Sequence, residues 1–365
     1  MRILLIGEYS RLHLTLAEGL KALGHSVTLM SDGDDFKNYP RDIDIKRRRH
    51  DVMGILSEYR SIFRRVKNNY DYDVVQLINP RFTTLNIRLN SILFNILKRR
   101  NKKIILGAFG DDSFWLKACL DGKTFRYSEF FIDGQEQKAD HLEAIKAMWL
   151  ASAHERANKK MAKEADSIVA CLYEYYEAYK PYYAEKLQYI PLPINLSRIE
   201  PSILREEPQR VKFFIGINKD RTKIKGTDIM LRALQRLHEK YPDSTEIIKV
   251  ESLGYDDYLK KMREAHVVLD QLYSYTPAMN ALLAMAMGKV VVSGGEKEMY
   301  DLMGETSNFP IINVRPNEDD VFSRLEFLVI NKECLPMLSE KSRVFVEQHH
   351  SHIDVAKRYL DFWNK

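Results

Sequence analysis

The amino-acid sequence predicts an α/β fold built from two doubly wound domains, and three features of the chain lead to that prediction. Apolar runs of about five residues alternate with longer amphipathic stretches. The runs are continuously apolar, which is typical of parallel strands covered by helices on both faces. A second series of such runs begins after a proline-rich crossing, and 365 residues are too many for one ordinary core.

The first series opens with the apolar run "RILLI", a predicted strand. The stretch behind it repeats leucine and alanine near a helical period until Gly24 ends the helix. The strands predicted in this series are Arg2–Ile6, Ser26–Met30, Asp73–Ile78, Lys103–Phe109, Ser167–Leu172 and Leu187–Ile194. The predicted helices are His13–Leu23, Leu85–Lys98 and one long helix from His141 to about Glu164.

Between Ser113 and Asp140 this alternation breaks down. Aromatic side chains stand among polar residues without a clear period: Phe114, Trp115, Phe125, Tyr127, Phe130 and Phe131. A long irregular stretch inside an α/β domain is often functional. A loop that only packs against the domain explains the pattern equally well.

The second series begins after the prolines of the crossing, so the domain boundary is expected between residues 195 and 208. Its predicted strands are Val211–Ile217, Glu246–Val250, His266–Leu272, Lys289–Ser293 and Phe309–Val314. The predicted helices are Asp228–Lys240, Tyr255–Ala265 and Ala278–Met287, and further helices fill the end. This repetition predicts a second parallel sheet.

The stretch "SYTPAMNALLAMAMGKVVVSGG" combines a helix start with a position at the edge of the second sheet. Thr276 is a suitable N-cap, Pro277 a suitable first helical residue and Gly288 a suitable stop. The helix follows the carboxyl end of a predicted strand, where open parallel sheets bind ligands. The free N–H groups and positive dipole end of a helix N-terminus suit a phosphate, and packing alone is the alternative explanation.

The stretch "GINKDRTKIKGTD" joins a predicted strand to a predicted helix in the same domain. Arg221 and Lys225 lie in this connection together with Lys219 and Lys223. Arg and Lys at the carboxyl end of a strand form a plausible clamp for a diphosphate, and a solvated basic loop is the alternative.

The two stretches together resemble the C-terminal domain of GT-B glycosyltransferases, and of glycosyltransferase family 4 in particular. Those enzymes carry an Arg and a Lys before G-x-D and a helix that reads E-A-M-A-x-G-K-P-V-V. Here the helix reads "LAMAMGKVVV" from Leu283 to Val292. The resemblance covers the whole chain and implies two Rossmann-like domains facing a cleft. Residues 1–200 would form the acceptor side, joined by a C-terminal helix at about 352–365, and residues 201–351 would bind the nucleotide-sugar.

The resemblance implies a UDP- or GDP-sugar donor, which is a co-substrate and not a cofactor. Arg221 and Lys225 correspond to the groups that hold the diphosphate, and Glu251 lies where such enzymes receive the nucleobase or ribose. The implied donor-binding residues are Arg221, Lys225, Gly226, Glu251, Tyr275, Thr276, Pro277, Ala278, Met279 and Asn280.

The sequence also departs from the family pattern. The family has two glutamates eight positions apart, and these positions hold Tyr275 and Leu283 here. Neither side chain supplies a carboxylate, so Asp270-Gln271, Glu251 and Asn280 are the polar candidates for the lost role. The departures leave two alternatives of the same fold, a catalytically inactive binding or scaffold protein and a sugar-nucleotide epimerase.

In the first domain, "AFGDD" aligns with the family pattern H-G-x-D, with Phe109 in place of the histidine. Asp112 matches the family aspartate and Asp111 is an additional carboxylate. Either is a candidate to act as a base or to hold a sugar hydroxyl, and capping of the following helix is the alternative. Residues expected to contact the acceptor or line the cleft are Glu8, Tyr9, Ser10, Arg11, Gly294, Gly295 and Glu296.

The net charge is +5, and three basic clusters lie in the first ~100 residues. They are "KRRRH" from Lys46, "RRVK" from Arg64 and "KRRNKK" from Lys98. The clusters are either solvated loops and helix ends or a surface for anionic lipid head groups. Nucleic acid is not expected as a partner, because no recognition motif accompanies the charge.

Other features narrow the class of protein. No apolar run approaches the roughly 20 residues of a membrane span. Three distant cysteines imply no disulfide or zinc framework, and the histidines of "HHSH" lack a carboxylate at ligand spacing, so no metal is expected. The resemblance implies a hexosyltransferase that retains the anomeric configuration, and together with these features it predicts a metal-independent enzyme of the cytoplasm, peripheral at the inner face of the membrane. It would act on a glycan or lipid-linked acceptor in cell-surface polysaccharide synthesis.

Overall fold

The structure is a computed structural model that describes residues 1–49, 51–218, 222–251 and 253–365. Its contacts divide the chain into two compact units. The first unit comprises Met1–Thr124, Lys138–Asn195 and His352–Lys365, and the second comprises Phe125–Gln137 and Leu196–Ser351. The segment Phe125–Gln137, named the aromatic segment below, therefore packs with the second unit although first-unit residues flank it in the chain. A single division at residue 200 does not describe this exchange.

Strands and helices alternate along most of the chain. Strands β1 to β14 are, in order, Arg2–Ile6, Ser26–Ser31, Ile43–Asp44, Val74–Leu77, Lys103–Ala108, Phe131–Ile132, Gln135–Glu136, Ser167–Ala170, Leu187–Tyr189, Val211–Ile217, Thr245–Glu251, Val267–Leu269, Val290–Ser293 and Ile312–Asn313. Helices α1 to α15 are, in order, Leu12–Ala22, Val52–Lys67, Ile87–Arg100, Ser113–Leu120, Asp140–Trp149, Ala153–Glu164, Tyr173–Tyr183, Thr222–Lys225, Thr227–Lys240, Tyr255–Glu264, Met279–Ala286, Lys297–Met303, Glu318–Ile330, Leu335–His350 and His352–Trp363.

The first unit is built on a parallel sheet with the strand order β3-β2-β1-β4-β5-β8-β9. The central strands β1, β4 and β5 are buried, as their continuous apolar sequences predict. The strand order reverses direction between β1 and β4, so the crevice for a ligand is expected at the carboxyl ends of these strands. Helix α15 packs on α1 within this unit, and the Nζ of Lys103 donates to the carbonyl of Trp363 at 2.7 Å.

The second unit is built on a parallel sheet with the strand order β11-β10-β12-β13-β14. Its core joins the apolar faces of β10, β12 and β13 to helices α9 and α13. The order reverses between β10 and β12, which places the expected ligand crevice at the carboxyl ends of these two strands. The two parallel sheets confirm the predicted α/β class.

Several predicted elements need correction. The long helix from His141 is two helices, because Ala151 adopts a positive φ of 49° and the Ser152 side chain caps α6 by accepting from the amides of His154 and Glu155. The stretch predicted to be irregular begins with a regular helix, α4. Sequence periodicity also missed α2 and α7. Within the described residues, no helix is long and apolar enough to cross a membrane.

Candidate functional site

The second-unit crevice contains an ion pair between two polar side chains from neighbouring connections. Lys225, at the end of α8, places its Nζ 3.3 Å from Oδ1 of Asp270, which follows β12. The Asp270 side chain is 1% exposed and that of Lys225 is 30% exposed. The cation therefore reaches solvent at the edge of the sheet where the resemblance implies a diphosphate, and the carboxylate lies beneath it.

Two further side chains extend this pair into a network. Asn280 donates from Nδ2 to Oδ1 of Asp270 at 3.1 Å and accepts from the hydroxyl of Tyr258 at 2.9 Å. Lys225, Asp270, Asn280 and Tyr258 are called the switch-point network below. The second carboxylate oxygen of Asp270 has no hydrogen-bond donor among the described residues. The sequence indicated Asp270, Asn280 and Lys225, but nothing in it singled out Tyr258.

Backbone geometry explains the position of Lys225. Gly226 adopts a positive φ of 67°, and a Cβ there would lie 2.7 Å from Cβ of Leu272. This glycine turns the chain from α8 into α9, while the amide of Leu272 donates to the carbonyl of Lys225 at 2.9 Å. The turn thereby ties Lys225 to the segment that carries Asp270. Arg221, the other predicted diphosphate ligand, lies outside the described residues.

Helix α11 begins two residues later than its predicted cap. Ala278 is the N-cap and makes no side-chain capping bond, whereas Thr276 is buried before the helix and Pro277 is buried beside it. The first amides of α11, beginning with Met279, have no partner within the helix, and Ala278 and Met279 are only half-buried. The helix start therefore keeps donors for an anion, and Gly288 ends the helix region with a φ of 78°, as predicted.

Glu251 ends β11 and pairs with Lys249 at 2.6 Å. Its side chain is 33% exposed, so it remains accessible at the edge of the sheet. The structure places it on the strand next to β10, at the same end as the switch-point network. The location is compatible with the predicted contact to base or ribose.

The aromatic segment covers Tyr275. The Tyr275 ring is 2% exposed, stacks on Tyr127 with centroids 4.9 Å apart and lies 5.6 Å from Phe125. Its hydroxyl accepts from the backbone N–H of Arg126 at 2.6 Å. Burial raises the pKa of the Tyr275 phenol. Tyr275 therefore anchors the aromatic segment instead of presenting a group to a ligand in this structure.

The turn after β13 lies directly against the backbone that precedes Tyr275. A Cβ at Gly294 would lie 1.7 Å from the carbonyl oxygen of Ser274, so the missing side chain makes room for protein backbone and not for the predicted contact with an acceptor. Gly295 is also buried, with its amide donating to Oδ1 of Asn313 at 2.9 Å. Both glycines thus serve the packing of this turn.

Glu296 is a buried carboxylate with strong partners. It is 6% exposed, its Oε1 accepts from the Tyr127 hydroxyl at 2.8 Å, and its Oε2 forms an ion pair with Nη2 of Arg126 at 2.8 Å. Arg126 also pairs with Glu298, and this hydrogen bond lowers the pKa of the Glu298 carboxyl. Sequence analysis noted the aromatic residues of this stretch but missed Arg126, because a lone arginine among aromatics gives no signal of its own.

In the first unit, the loop after β1 has a constrained backbone. Ser10 and Arg11 both adopt positive φ angles, of 50° and 68°. The Ser10 amide donates to Asp34 at 2.8 Å, and the Arg11 guanidinium lies 5.5 Å from the centre of the Tyr39 ring. Ser10 and Arg11 are half-buried and remain candidates for contact with an acceptor.

Glu8 has a different environment from the rest of this loop. It is 2% exposed, and its carboxyl accepts from the amides of His13 at 3.3 Å and Leu14 at 2.8 Å in the first turn of α1. Burial raises the pKa of this carboxyl to about 8. The geometry favours helix capping over the predicted acceptor contact. Tyr9, by contrast, lies against the loop after β5, where a Cβ at Gly110 would lie 3.1 Å from its ring.

The two candidate catalytic carboxylates, Asp111 and Asp112, differ in burial and in hydrogen-bond partners. Asp112 is fully buried, its Oδ1 accepts from the amides of Phe114 and Trp115 at 2.9 Å each, and its Oδ2 accepts from the Tyr179 hydroxyl at 2.5 Å. Burial raises the pKa of the Asp112 carboxyl to about 6. This geometry favours capping of α4 over a reacting carboxylate. Asp111 is exposed at the same strand end.

One histidine of the stretch "HHSH" forms a hydrogen bond with a carboxylate and does not belong to a group of metal ligands among the described residues. Nε2 of His349 lies 2.8 Å from Glu305, and this hydrogen bond lowers the pKa of the Glu305 carboxyl to about 2. Across the described parts of the chain, no group of three or more His, Cys, Asp or Glu side chains is arranged to hold a metal ion.

The comparisons with known proteins give a fold and no family. No protein-family model matches the chain, and no curated protein matches it. Sucrose-phosphate synthase from Thermosynechococcus elongatus has a similar structure, with a TM-score of 0.63 at 12% identity over 100% of this chain and 98% of that chain. HepE of Anabaena, solved in complex with UDP and glucose, gives a TM-score of 0.63 at 13% identity over 100% of both chains.

A third structure, WaaG, is described as a glycosyltransferase involved in lipopolysaccharide biosynthesis. It gives a TM-score of 0.57 at 14% identity over 99% of both chains. These similarities extend over the full length of the chain and confirm the predicted GT-B fold. At this level of identity they show the fold alone.

Proposed function

We propose that the protein is a glycosyltransferase that moves a hexose from a UDP- or GDP-sugar to an acceptor hydroxyl. The observation that carries the proposal is the position of Lys225. Its ammonium group emerges at the switch point of the second sheet, beside the open N-terminus of α11. The fold is that of HepE, whose structures hold UDP and UDP-glucose.

The chemistry requires stabilisation of a leaving diphosphate. The bond that breaks joins the anomeric carbon to a diphosphate oxygen, and the bond that forms joins this carbon to the acceptor oxygen. Lys225, Arg221 and the first amides of α11 would balance the negative charge that develops on the leaving group, without a metal. The donor site would be lined by Pro277, Ala278 and Gly226. Glu251 would contact the base or the ribose of the donor.

On the first unit, Asp111 is our candidate for the carboxylate that holds or deprotonates the acceptor. It is exposed at the carboxyl end of β5, whereas Asp112 is engaged in capping. Tyr9, Ser10 and Arg11 at the end of β1 would contact the same acceptor. Retention of anomeric configuration and membership of glycosyltransferase family 4 rest on the sequence resemblance. A glycan or lipid-linked acceptor of cell-surface polysaccharide synthesis rests on the same resemblance.

Helix α2 supports contact with an anionic membrane surface. One exposed stripe of this helix begins with Met53 and Leu56, which are 78% and 52% exposed, and continues with Arg60, Arg64 and Lys67. Apolar side chains beside basic ones favour the interface of an anionic bilayer. The cluster from Lys98 differs, since Lys103 donates to the Trp363 carbonyl and Lys102 pairs with Asp73. His50, at the end of the first cluster, lies outside the described residues.

Turnover of the donor tests the proposal. The protein is incubated with UDP- and GDP-hexoses, with and without acceptor glycans and with EDTA, and released nucleotide and sugar products are identified. We expect nucleoside diphosphate release that depends on acceptor and persists in EDTA. Conversion of the donor to another sugar nucleotide without acceptor would identify an epimerase. Binding of the donor without any conversion would identify a binding or scaffold protein.

A further inference from the structure

The carboxylate that residue 275 lacks is present on the neighbouring turn. The amide of Glu296 donates to the carbonyl of Tyr275 at 3.0 Å, so the two residues are joined through their backbones. The close approach of Gly294 to Ser274 fixes the same turn in place. Glu296 is therefore held next to the position where the sequence resemblance implies a glutamate.

The aromatic segment supplies both side-chain partners of this carboxylate. Nη2 of Arg126 lies 2.8 Å from Oε2 of Glu296, and the Tyr127 hydroxyl donates to Oε1 at 2.8 Å. A buried carboxylate is destabilised unless such donors compensate its lost hydration. Because each carboxylate oxygen accepts about two hydrogen bonds, Glu296 retains acceptor capacity for a ligand hydroxyl.

The substitution at position 275 explains why the segment lies there. The Tyr275 ring offers a stacking surface to Tyr127, and its hydroxyl accepts from the Arg126 backbone. A glutamate at 275 would provide neither the ring contact nor this buried phenol. Tyr275 therefore supplies no carboxylate itself, but it anchors the aromatic segment whose Arg126 and Tyr127 hold the carboxylate of Glu296.

We propose that Glu296 is the carboxylate that faces the donor sugar in place of residue 275, and that Arg126 and Tyr127 are positioning residues for it. The inference rests on the proposed glycosyltransferase function and names the group that recognises the sugar. It also assigns a task to a segment that lies, in the chain, between two parts of the first unit.

Glu298 provides a matched control. It shares the Arg126 guanidinium with Glu296, but its side chain is 33% exposed and belongs to the first turn of α12. Loss of the Glu298 charge therefore tests the ion pair without removing the buried carboxylate. Arg126→Lys keeps the positive charge but loses the planar guanidinium that can contact two carboxylates at once. This variant therefore tests whether Arg126 positions Glu296 by its geometry.

The test compares turnover of the preferred nucleotide-sugar with binding of the free nucleotide. Glu296→Gln is expected to lower kcat about tenfold or more while the Kd for free nucleotide changes less than about twofold, because only the sugar meets this residue. Glu298→Gln is expected to retain most of the activity. Arg126→Ala and Tyr127→Phe are expected to lower kcat less than Glu296→Gln does. Arg126→Lys is expected to have a higher kcat than Arg126→Ala.

Hydrogen exchange of residues 125–137 in each variant separates positioning from unfolding of the segment. A Glu296→Gln protein with protected amides and low kcat supports the inference. Unchanged kcat and KM in Glu296→Gln, with normal nucleotide binding, would overturn it and leave the proposed function intact. Equal losses in Glu296→Gln and Glu298→Gln would also overturn it. Failure of the wild-type protein to bind any nucleotide-sugar would instead overturn the proposed function itself.

Discussion

The ammonium group of Lys225 lies 3.3 Å from a carboxylate oxygen of Asp270, and this ion pair stands where the proposed diphosphate would bind. The cation is therefore oriented by protein before any ligand arrives. The negative charge of Asp270 also offsets part of the positive charge of Lys225. The same carboxylate repels a second anion that approaches the site. A diphosphate must compete with Asp270 for Lys225, and this competition gives the first prediction.

Asp270→Asn should tighten the binding of UDP or GDP. Removal of the negative charge frees Lys225, and we expect a three- to tenfold lower Kd, equivalent to about 0.6–1.4 kcal/mol. Isothermal titration of the nucleotide into wild type and variant measures the change. Asp257→Asn, which removes an exposed carboxylate of the same unit, is the control and should leave Kd unchanged. Weaker binding by Asp270→Asn would show that the carboxylate supports the ligand.

Asp111→Ala and Asp112→Ala should have opposite phenotypes. Loss of Asp112 removes two capping bonds and leaves the Tyr179 hydroxyl without its partner, which we expect to destabilise the protein by about 2–3 kcal/mol. Loss of exposed Asp111 should leave Tm within about 1 °C and reduce transfer to the acceptor. Thermal melts and turnover assays on both variants measure the contrast. A stable but inactive Asp112→Ala protein would return the catalytic role to Asp112.

Glu8→Gln should change the pH dependence of stability. The folded pKa of about 8 exceeds the ordinary value of 4.5, so Glu8 stabilises the fold most below pH 4.5 and loses this contribution as pH rises towards 8. Wild type should therefore lose up to about 1.4 kcal/mol per pH unit relative to the glutamine variant in this window. Unfolding measurements at pH 5.5 and pH 7.5 give the comparison. A constant difference between the two proteins would contradict the raised pKa.

Leu56→Glu should weaken binding to vesicles that contain phosphatidylglycerol. The change removes an apolar contact and adds a charge of the same sign as the lipid, and we expect about a tenfold loss in co-sedimentation. Met337→Glu, at a methionine of the second unit that is 50% exposed, is the control and should bind normally. If wild type binds neutral phosphatidylcholine vesicles equally well, an electrostatic membrane contact is ruled out.

The sequence alone predicts the fold well because its apolar runs are buried on both faces. β1, β5 and β10 coincide closely with the predicted strands, since short continuous apolar runs are typical of parallel strands covered on both faces. Helix α2 was missed because its exposed stripe mixes Met53 and Leu56 with arginines, which obscures the apolar face. The break at Ala151 was missed because it depends on a local capping bond from Ser152.

The candidate site is less predictable because its contacts join residues distant in sequence. Motif spacing led to Lys225, and the absence of the family glutamates pointed to Asp270 and Asn280 as polar candidates, but the distances among the three follow only from the strand order. The pairing of Arg126 with Glu296 spans 170 positions of the chain and depends on the aromatic segment leaving the first unit. Gly294 was expected to contact the acceptor or line the cleft, whereas the backbone of Ser274 fills the space beside it, which no local pattern reveals.

The most direct test of the account is nucleotide binding at Lys225. UDP and GDP are titrated into wild type, Lys225→Ala, Arg221→Ala/Lys225→Ala and the control Lys223→Ala, which changes an exposed lysine of the same short helix. The account predicts that wild type and the control bind one nucleotide with a micromolar Kd. It also predicts that Lys225→Ala weakens this binding about tenfold or more and that the double variant abolishes it. Equal affinity in all four proteins, or no binding by wild type, would contradict a donor site at the second-unit switch point.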